Sequence, residues 1–190
     1  MEITYDTANS AEDLHQILAL QQSNLRGNIN KNEAATQGFV SLTHTYDLLK
    51  QMSHPYPHIV ARHDGQVIAY ALIMLREMAP WIPELEDLFT HISESTYRGK
   101  CPDDASYFVM GQICVHKAFR GMGVVQKMYQ TMAERMHAHF DYVITDISAM
   151  NPRSLKAHEK VGFETLAEYQ TETGDPWVIV IKDLKNEIDF

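Results

Sequence analysis

A chain of 190 residues, 45% of them hydrophobic, can bury one substantial core but hardly two, so a single domain over residues 1–190 is expected. Its formal net charge of −9 argues against binding along a phosphate backbone, and nucleic acid is not expected as a partner. No apolar run approaches the roughly 20 residues that span a bilayer, and Glu2 and Asp6 precede any apolar stretch, which does not suit a secretory leader; a cytoplasmic protein with no membrane partner is the expectation.

In chain order, "EITY" reads as a short strand, and Ser10 before "AEDLHQILALQQ" as an N-cap, with Asp13 where a capping box places its acid and Leu14, Ile17, Leu18 and Gln21 on one helical face. "NLRGNINKNEAATQGF" carries two glycines and four asparagines, the chemistry of a loop interrupted at most by a short helix. "HIVARHDGQVIAYALIML" predicts a hairpin turning at Asp64-Gly65 in a type I′ turn. "ELEDLFTHISES" reads as an acidic amphipathic helix and "SYFVMGQICV" as a buried strand. A basic elbow with two glycines follows, then a helix with Val125, Met128, Met132 and Met136 on one stripe. "DYVITDIS" is a strand of the continuous apolar kind. Asn151-Pro152 caps a helix to about Val161, Gly162 ends it, and "FETLAEYQ" and "WVIVIKDL" supply late strands. Strands and helices alternate through the second half, which predicts an α/β or α+β sandwich with a mixed sheet.

The elbow carries the chemistry. From Ala105 to Ala133 there are three basic residues, Lys117, Arg120 and Lys127, and no acid, an island of +3 in an acidic chain. A strand running into a helix leaves the helix's first N–H groups without internal acceptors, the helix dipole adds partial positive charge, and Gly121 and Gly123 admit close approach to the backbone. A diphosphate is the favoured guest. A P-loop is excluded because no GxxxxGK[ST] string occurs, and a dinucleotide fingerprint would need a third glycine where Gln126 stands, although Asp141 and Asp146 lie near the distance at which its acid is sought.

"ICVHKAFRGMGVV" followed by "NPRSLKAHEKVGF" resembles the two signature segments of the GNAT superfamily of N-acetyltransferases, the RxxGxG/A loop and an Asn-led helix ending in Gly-Phe. The strong part of the resemblance covers Ser106 to about Phe163. It implies an acetyl-CoA-dependent N-acetyltransferase with a mixed, largely antiparallel sheet of about six to seven strands, flanked by helices and with two central strands splayed. Position by position, Arg120, Gly121, Met122, Gly123, Val124, Val125 and Gln126 match the diphosphate loop. Val125 departs from the family's usual Gly or Ala, so its side chain must turn away from the coenzyme or the helix must start differently. Ile113, Cys114 and Val115 match the strand whose backbone pairs with the pantetheine arm, Asn151 the residue that bonds that arm, and Ser154 lies one turn further on. His158 occupies the position where many members carry a tyrosine that protonates the departing thiolate; imidazolium can donate a proton near neutrality.

Other readings stand beside these. His158 also suits a packed, hydrogen-bonded core position, and Asn151 caps its helix under either reading. Cys114 reads as a small core residue rather than a nucleophile, and with Cys101 it makes no disulfide framework. Glu77, Gln112 and Asp146 are the conceivable general bases. No metal is expected: HExxH is absent, His137 and His139 point apart on a helix, and His54 to His58 spans two prolines. The acceptor is expected to be an amine of a small molecule or peptide, cationic in view of the acidic chain, bound by Asn24 to His54 and the loop near Met78 to Trp81. A homodimer stays open. A non-catalytic acyl-CoA sensor or scaffold module is the alternative from another class.

Overall fold

The computed structural model describes residues 2–29 and 38–185, so half of the loop expected from Asn24 to Phe39, residues 30–37, lies outside the described residues. Among the described residues seven strands are ordered β1-β2-β3-β4-β5-β7-β6 in one sheet, at the upper end of the expected number. The ladders are largely antiparallel, with β4 and β5 a parallel pair. The chain divides into two compact units: Met1–Met74 with Met110–Met132, and Leu75–Val109 with Ala133–Phe190. Strand β4 (Tyr107–Val115) and helix α4 (Val124–Met136) contribute residues to both.

The first unit contains β1 (Thr4–Thr7), α1 (Ala11–Asn24), α2 (Tyr46–Met52), β2 (Ile59–His63) and β3 (Gln66–Met74). Helix α1 starts where the sequence placed it. Ser10 accepts the Asp13 N–H and the Asp13 carboxylate accepts the Ser10 N–H, both at 3.1 Å, so two otherwise orphaned donors are satisfied. The other Asp13 oxygen takes Arg62 at 2.6 Å. The hairpin turns as expected: Asp64 and Gly65 sit at φ 50° and 77°, the two positive values a type I′ turn demands, and β2 pairs antiparallel with β3 from Ile59↔Ala71 to His63↔Gln66 around a bulge at Ala61/Arg62. Val67 to Met74 are all buried, which explains why this strand does not alternate in sequence. Two expectations change. Strand β1 begins at Thr4 rather than Glu2, and α2, capped by the Thr45 side chain, is a helix the sequence reading did not place.

The second unit opens with 3-10 turns at Arg76–Trp81 and Pro83–Leu85, then the acidic helix α3 (Glu86–Glu94), burying Leu88 and Ile92. Strands β5 (Tyr142–Ser148), β6 (Glu164–Gln170) and β7 (Pro176–Asp183), with helix α5 (Pro152–Lys160), complete it. Strand β5 pairs in parallel with β4 at Tyr107↔Tyr142, Phe108↔Val143 and Val109↔Ile144, and antiparallel with β7 along its whole length, Tyr142↔Asp183 to Ser148↔Trp177.

Helix α4 buries Val124, Met128, Met132 and Met136. Each such side chain, once fully buried, stabilises the fold by roughly 1.5–3 kcal/mol. This corrects the stripe expected from sequence, which began at Val125: that residue is half-buried, and strict i, i+4 spacing makes Val124 the first core position.

Candidate functional site

In the first unit, the end of β4 leads into the basic elbow. Ile113 and Val115 are half-buried and Cys114 is buried between them, as a strand's alternation requires. Burial pushes the Cys114 thiol up to about 12, against the opposing pull of the Arg120 charge and the Tyr70 hydroxyl, so it is no thiolate nucleophile near neutrality. A 3-10 turn, Lys117–Phe119, follows, its first turn capped by His116 Nδ1, which accepts the Ala118 N–H at 3.3 Å. Arg120 is extended, and its guanidinium turns back into the unit: Nε donates to the Val115 carbonyl at 3.0 Å and Nη2 to Asn24 Oδ1. Strand end and elbow are thereby brought together.

Gly121 and Gly123 have φ 79° and 76°, the left-handed region that glycine enters without steric penalty. A Cβ on either would meet no atom within 4 Å, so backbone conformation, not crowding, calls for glycine. Gly121, Met122, Gly123 and Gln126 are exposed. Lys127 N–H bonds the Gly123 carbonyl at 3.1 Å as the first helical hydrogen bond of α4, which leaves Val124, Val125 and Gln126 N–H ahead of any i−4 acceptor in the helix. No acid stands in that first turn. The geometry is that of an anion cradle, with donors and dipole aligned toward one end.

Beneath the strand lies a buried polar network. Gln112 Oε1 accepts from Gln21 Nε2 at 2.8 Å and from the Tyr70 hydroxyl at 2.5 Å, while Gln112 Nε2 donates to the Leu42 carbonyl at 3.0 Å. Gln21 Oε1 accepts the His44 N–H at 2.9 Å, and Gln21 Nε2 lies 2.8 Å from His44 Nδ1. Since that amide nitrogen can only donate, His44 Nδ1 is an acceptor and its proton sits on Nε2. Gln112 is thus committed to structure at both ends of its amide.

The second unit gathers the other expected residues on α5 and β5. Asn151 is buried and caps α5, accepting the Ser154 N–H at 3.2 Å, with Pro152 at the first helical position. Ser154 is half-buried one turn along. His158, 2% exposed, packs edge-on against Phe163. Its Nδ1 lies 2.8 Å from the Ser154 carbonyl, an oxygen that can only accept, so Nδ1 carries the proton. Burial depresses the imidazole to about 4, with the Ser154 bond opposing, so His158 is neutral at pH 7. Gly162, at φ 88°, closes the helix, and the buried Lys182 of β7 donates to the Val161 carbonyl at its C-terminal end.

Of the conceivable bases, Glu77 is exposed in a 3-10 turn and Gln112 belongs to the network above. Asp146 differs. Burial raises its carboxyl to about 6, Asp87 adds to the rise, and a 2.9 Å bond from the Tyr169 hydroxyl opposes it. The His91 ring meets Tyr169 edge-on at 4.6 Å. No group of His, Cys, Asp or Glu among the described residues could hold a metal ion, and no helix among them is long and apolar enough to cross a membrane. Cys101 and Cys114 are free thiols.

The sequence model of the Acetyltransferase (GNAT) family matches residues 26–163. The chain belongs to the GNAT family. This GNAT acetyltransferase chain is also similar in fold to the NatC complex bound to Gag peptide and CoA, with TM-score 0.67 and 14% identity over 96% of this chain and 99% of that one. The ribosomal-protein-S18-alanine N-acetyltransferase from Escherichia coli matches with TM-score 0.63 and 11% identity over 100% of each chain. The yncA protein of Salmonella typhimurium, a structure holding its cofactor acetyl-CoA, matches with TM-score 0.60 and 16% identity over 98% and 96%. Curated protein sequences offer no significant match.

Sequence reasoning had no means of finding Asn24 as the partner of Arg120 or Tyr169 as the partner of Asp146. The pairs are 96 and 23 residues apart, and no local pattern encodes either. A weak signal existed for Gln21, a polar residue on the otherwise apolar face of α1.

Proposed function

We propose that this GNAT protein is an N-acetyltransferase moving the acetyl group of acetyl-CoA to a primary amine of a small molecule or peptide. The glycine-hinged cradle at the head of α4 carries the reading, because it offers backbone donors to a diphosphate within the segment that matches the family. In this reading the loop 120–126 holds the diphosphate through its backbone amides, not the Arg120 guanidinium, Ile113–Val115 offer main-chain groups to the pantetheine arm and to the oxyanion, and Asn151 and Ser154 bind the arm from α5. The presence of CoA or acetyl-CoA in the NatC and yncA structures supports it.

The amine nitrogen attacks the thioester carbonyl, a C–N bond forms, and the C–S bond breaks as the tetrahedral adduct collapses. Asp146 takes the proton from the attacking nitrogen: a carboxyl titrating at about 6 is ionised at pH 7 yet more basic than an ordinary carboxylate. His158 is the donor to the thiolate. Neutral at pH 7, it takes a proton from solvent on Nε2, Nδ1 staying on the Ser154 carbonyl, and an imidazolium depressed to about 4 hands it downhill to a thiolate whose acid titrates near about 8.5. The acidic chain favours a cationic acceptor.

The neutral, buried state of His158 is the one observation that favours the second reading, a non-catalytic acyl-CoA sensor or scaffold module. Thiol release from acetyl-CoA over a panel of primary amines separates the two. Turnover on at least one amine is expected, with Gly123→Glu losing coenzyme binding and turnover together and His158→Phe losing turnover while binding is retained. Tight binding of CoA with no turnover on any amine would establish the module instead.

A further inference from the structure

We propose that Asn24, the last residue of α1, is a positioning residue for the coenzyme cradle, and that Arg120 acts through it as a clamp on the loop rather than as a ligand of the diphosphate. The inference rests on the reading that the cradle takes acetyl-CoA. All the residues involved belong to the first unit.

Asn24 is 5% exposed and fixed from several sides. Its Nδ2 donates to the Leu20 carbonyl at 2.8 Å and to Ser23 Oγ at 2.9 Å, and its own carbonyl accepts the Val40 N–H at 3.1 Å. With the amide nitrogen so engaged, Oδ1 faces Arg120 as an immobile acceptor. The guanidinium donates there through Nη2 and, through Nε, to the Val115 carbonyl at 3.0 Å. One planar group therefore ties the end of α1 to the end of β4, and a rigid fork loses little freedom in doing so.

What this fixes is the exit of the loop. Residues 116–120 leave β4 through a 3-10 turn, and the next residue, Gly121, is free to rotate. If the backbone at Arg120 were loose, the cradle amides would have to be ordered by the ligand, and that ordering would be subtracted from affinity. An arginine whose Nε and Nη2 are both spent on protein oxygens holds the cradle in shape before the anion arrives. Its charge is near enough to oppose the rise of the Cys114 thiol.

The test uses CoA itself, titrated calorimetrically into the full chain. Asn24→Ala is expected to raise Kd about tenfold, and Asn24→Asp, which keeps an acceptor for Arg120, to stay within about threefold of wild type. Amide exchange at Gly121 to Gln126 in the ligand-free protein should quicken in Asn24→Ala, a change that general destabilisation alone would spread over the unit. Arg120→Gln should weaken binding with an unchanged slope of log Kd against log salt, whereas loss of a direct anion contact would reduce that slope. Wild-type affinity in Asn24→Ala, or a reduced slope in Arg120→Gln, would overturn the proposal. Should Asn24→Ala not fold, Asn24→Ser and the Arg120→Gln slope decide it. Failure of the wild type to bind CoA would overturn the underlying reading instead, and the clamp with it.

Discussion

Tyr169 on β6 donates its hydroxyl to Asp146 on β5 across 2.9 Å, reaching over the intervening strand β7. The carboxyl is half-buried among neighbours that desolvate it, and its hydrogen bonds, the Tyr169 hydroxyl first among them, offset that only in part, so its rise to about 6 follows. Both the catalysis and the stability of the second unit should register this pair.

For Asp146→Asn, kcat should fall by about 10²–10⁴-fold if the carboxylate accepts the amine proton. In wild type, activity should be lost as pH falls through 6, because the basic form disappears there. The variant's residual activity should lack that limb. Stability moves the other way: a folded pKa above the ordinary carboxylate value means the folded state holds the proton more tightly, so stability falls as pH rises from about 4 to 6. Asp146→Asn should therefore melt above wild type at pH 7.5, measured by calorimetry.

His58 gives the opposite pH dependence in the first unit. It is fully buried, donates from Nε2 to the Leu49 carbonyl at 3.0 Å and accepts the Ile73 N–H on Nδ1 at 3.1 Å, and burial lowers it to about 4. Its neutral form is the folded form. The stability it confers is present above the unfolded value of about 6.5 and is lost as pH falls from there toward 4, up to about 3 kcal/mol. Urea midpoints from pH 7.5 to 4.5 should drop for wild type and drop less for His58→Gln, which should start about 1–3 kcal/mol lower.

Gln112→Leu would remove the acceptor shared by the Gln21 amide and the Tyr70 hydroxyl and the donor to the Leu42 carbonyl, leaving Gln21 its bonds to His44. A loss of about 2–4 kcal/mol is expected from denaturant unfolding. A double-mutant cycle with Tyr70→Phe should show strong coupling, since both changes remove the same bond.

Gly121→Ala tests backbone need apart from space. A Cβ there meets nothing within 4 Å, but φ is 79°. The melting temperature should fall by the equivalent of about 1 kcal/mol, while CoA affinity should fall further, because the loop would relax away from the cradle geometry.

Local chemistry made much of this fold legible. The Ser10/Asp13 box, the Asp64-Gly65 turn and the Asn151-Pro152 start are each set by residues within four positions, and each appears where the sequence placed it. Register within a helix was harder. Val124 and Val125 are chemically identical, and only packing shows that Val124 faces the core. Helix α2 escaped because seven residues are too few for a periodic signal, although Thr45 was a readable cap. At the candidate site the glycines and the helix caps were visible, but the protonation state of His158 was not: its depression to about 4 comes from the wall around it, including Phe163.

The order β5-β7-β6 has a consequence for how the second unit comes to be made. Strand β7 follows β6 along the chain yet fills the slot between it and β5, pairing with Tyr142 to Ser148 on one flank and Glu164 to Gln170 on the other. Until Pro176 to Asp183 have left the ribosome, both flanks are open edges of a kind that recruits foreign strands. A nascent chain halted before Pro176 should therefore be a client for chaperones, and its release a single zippering of two ladders at once.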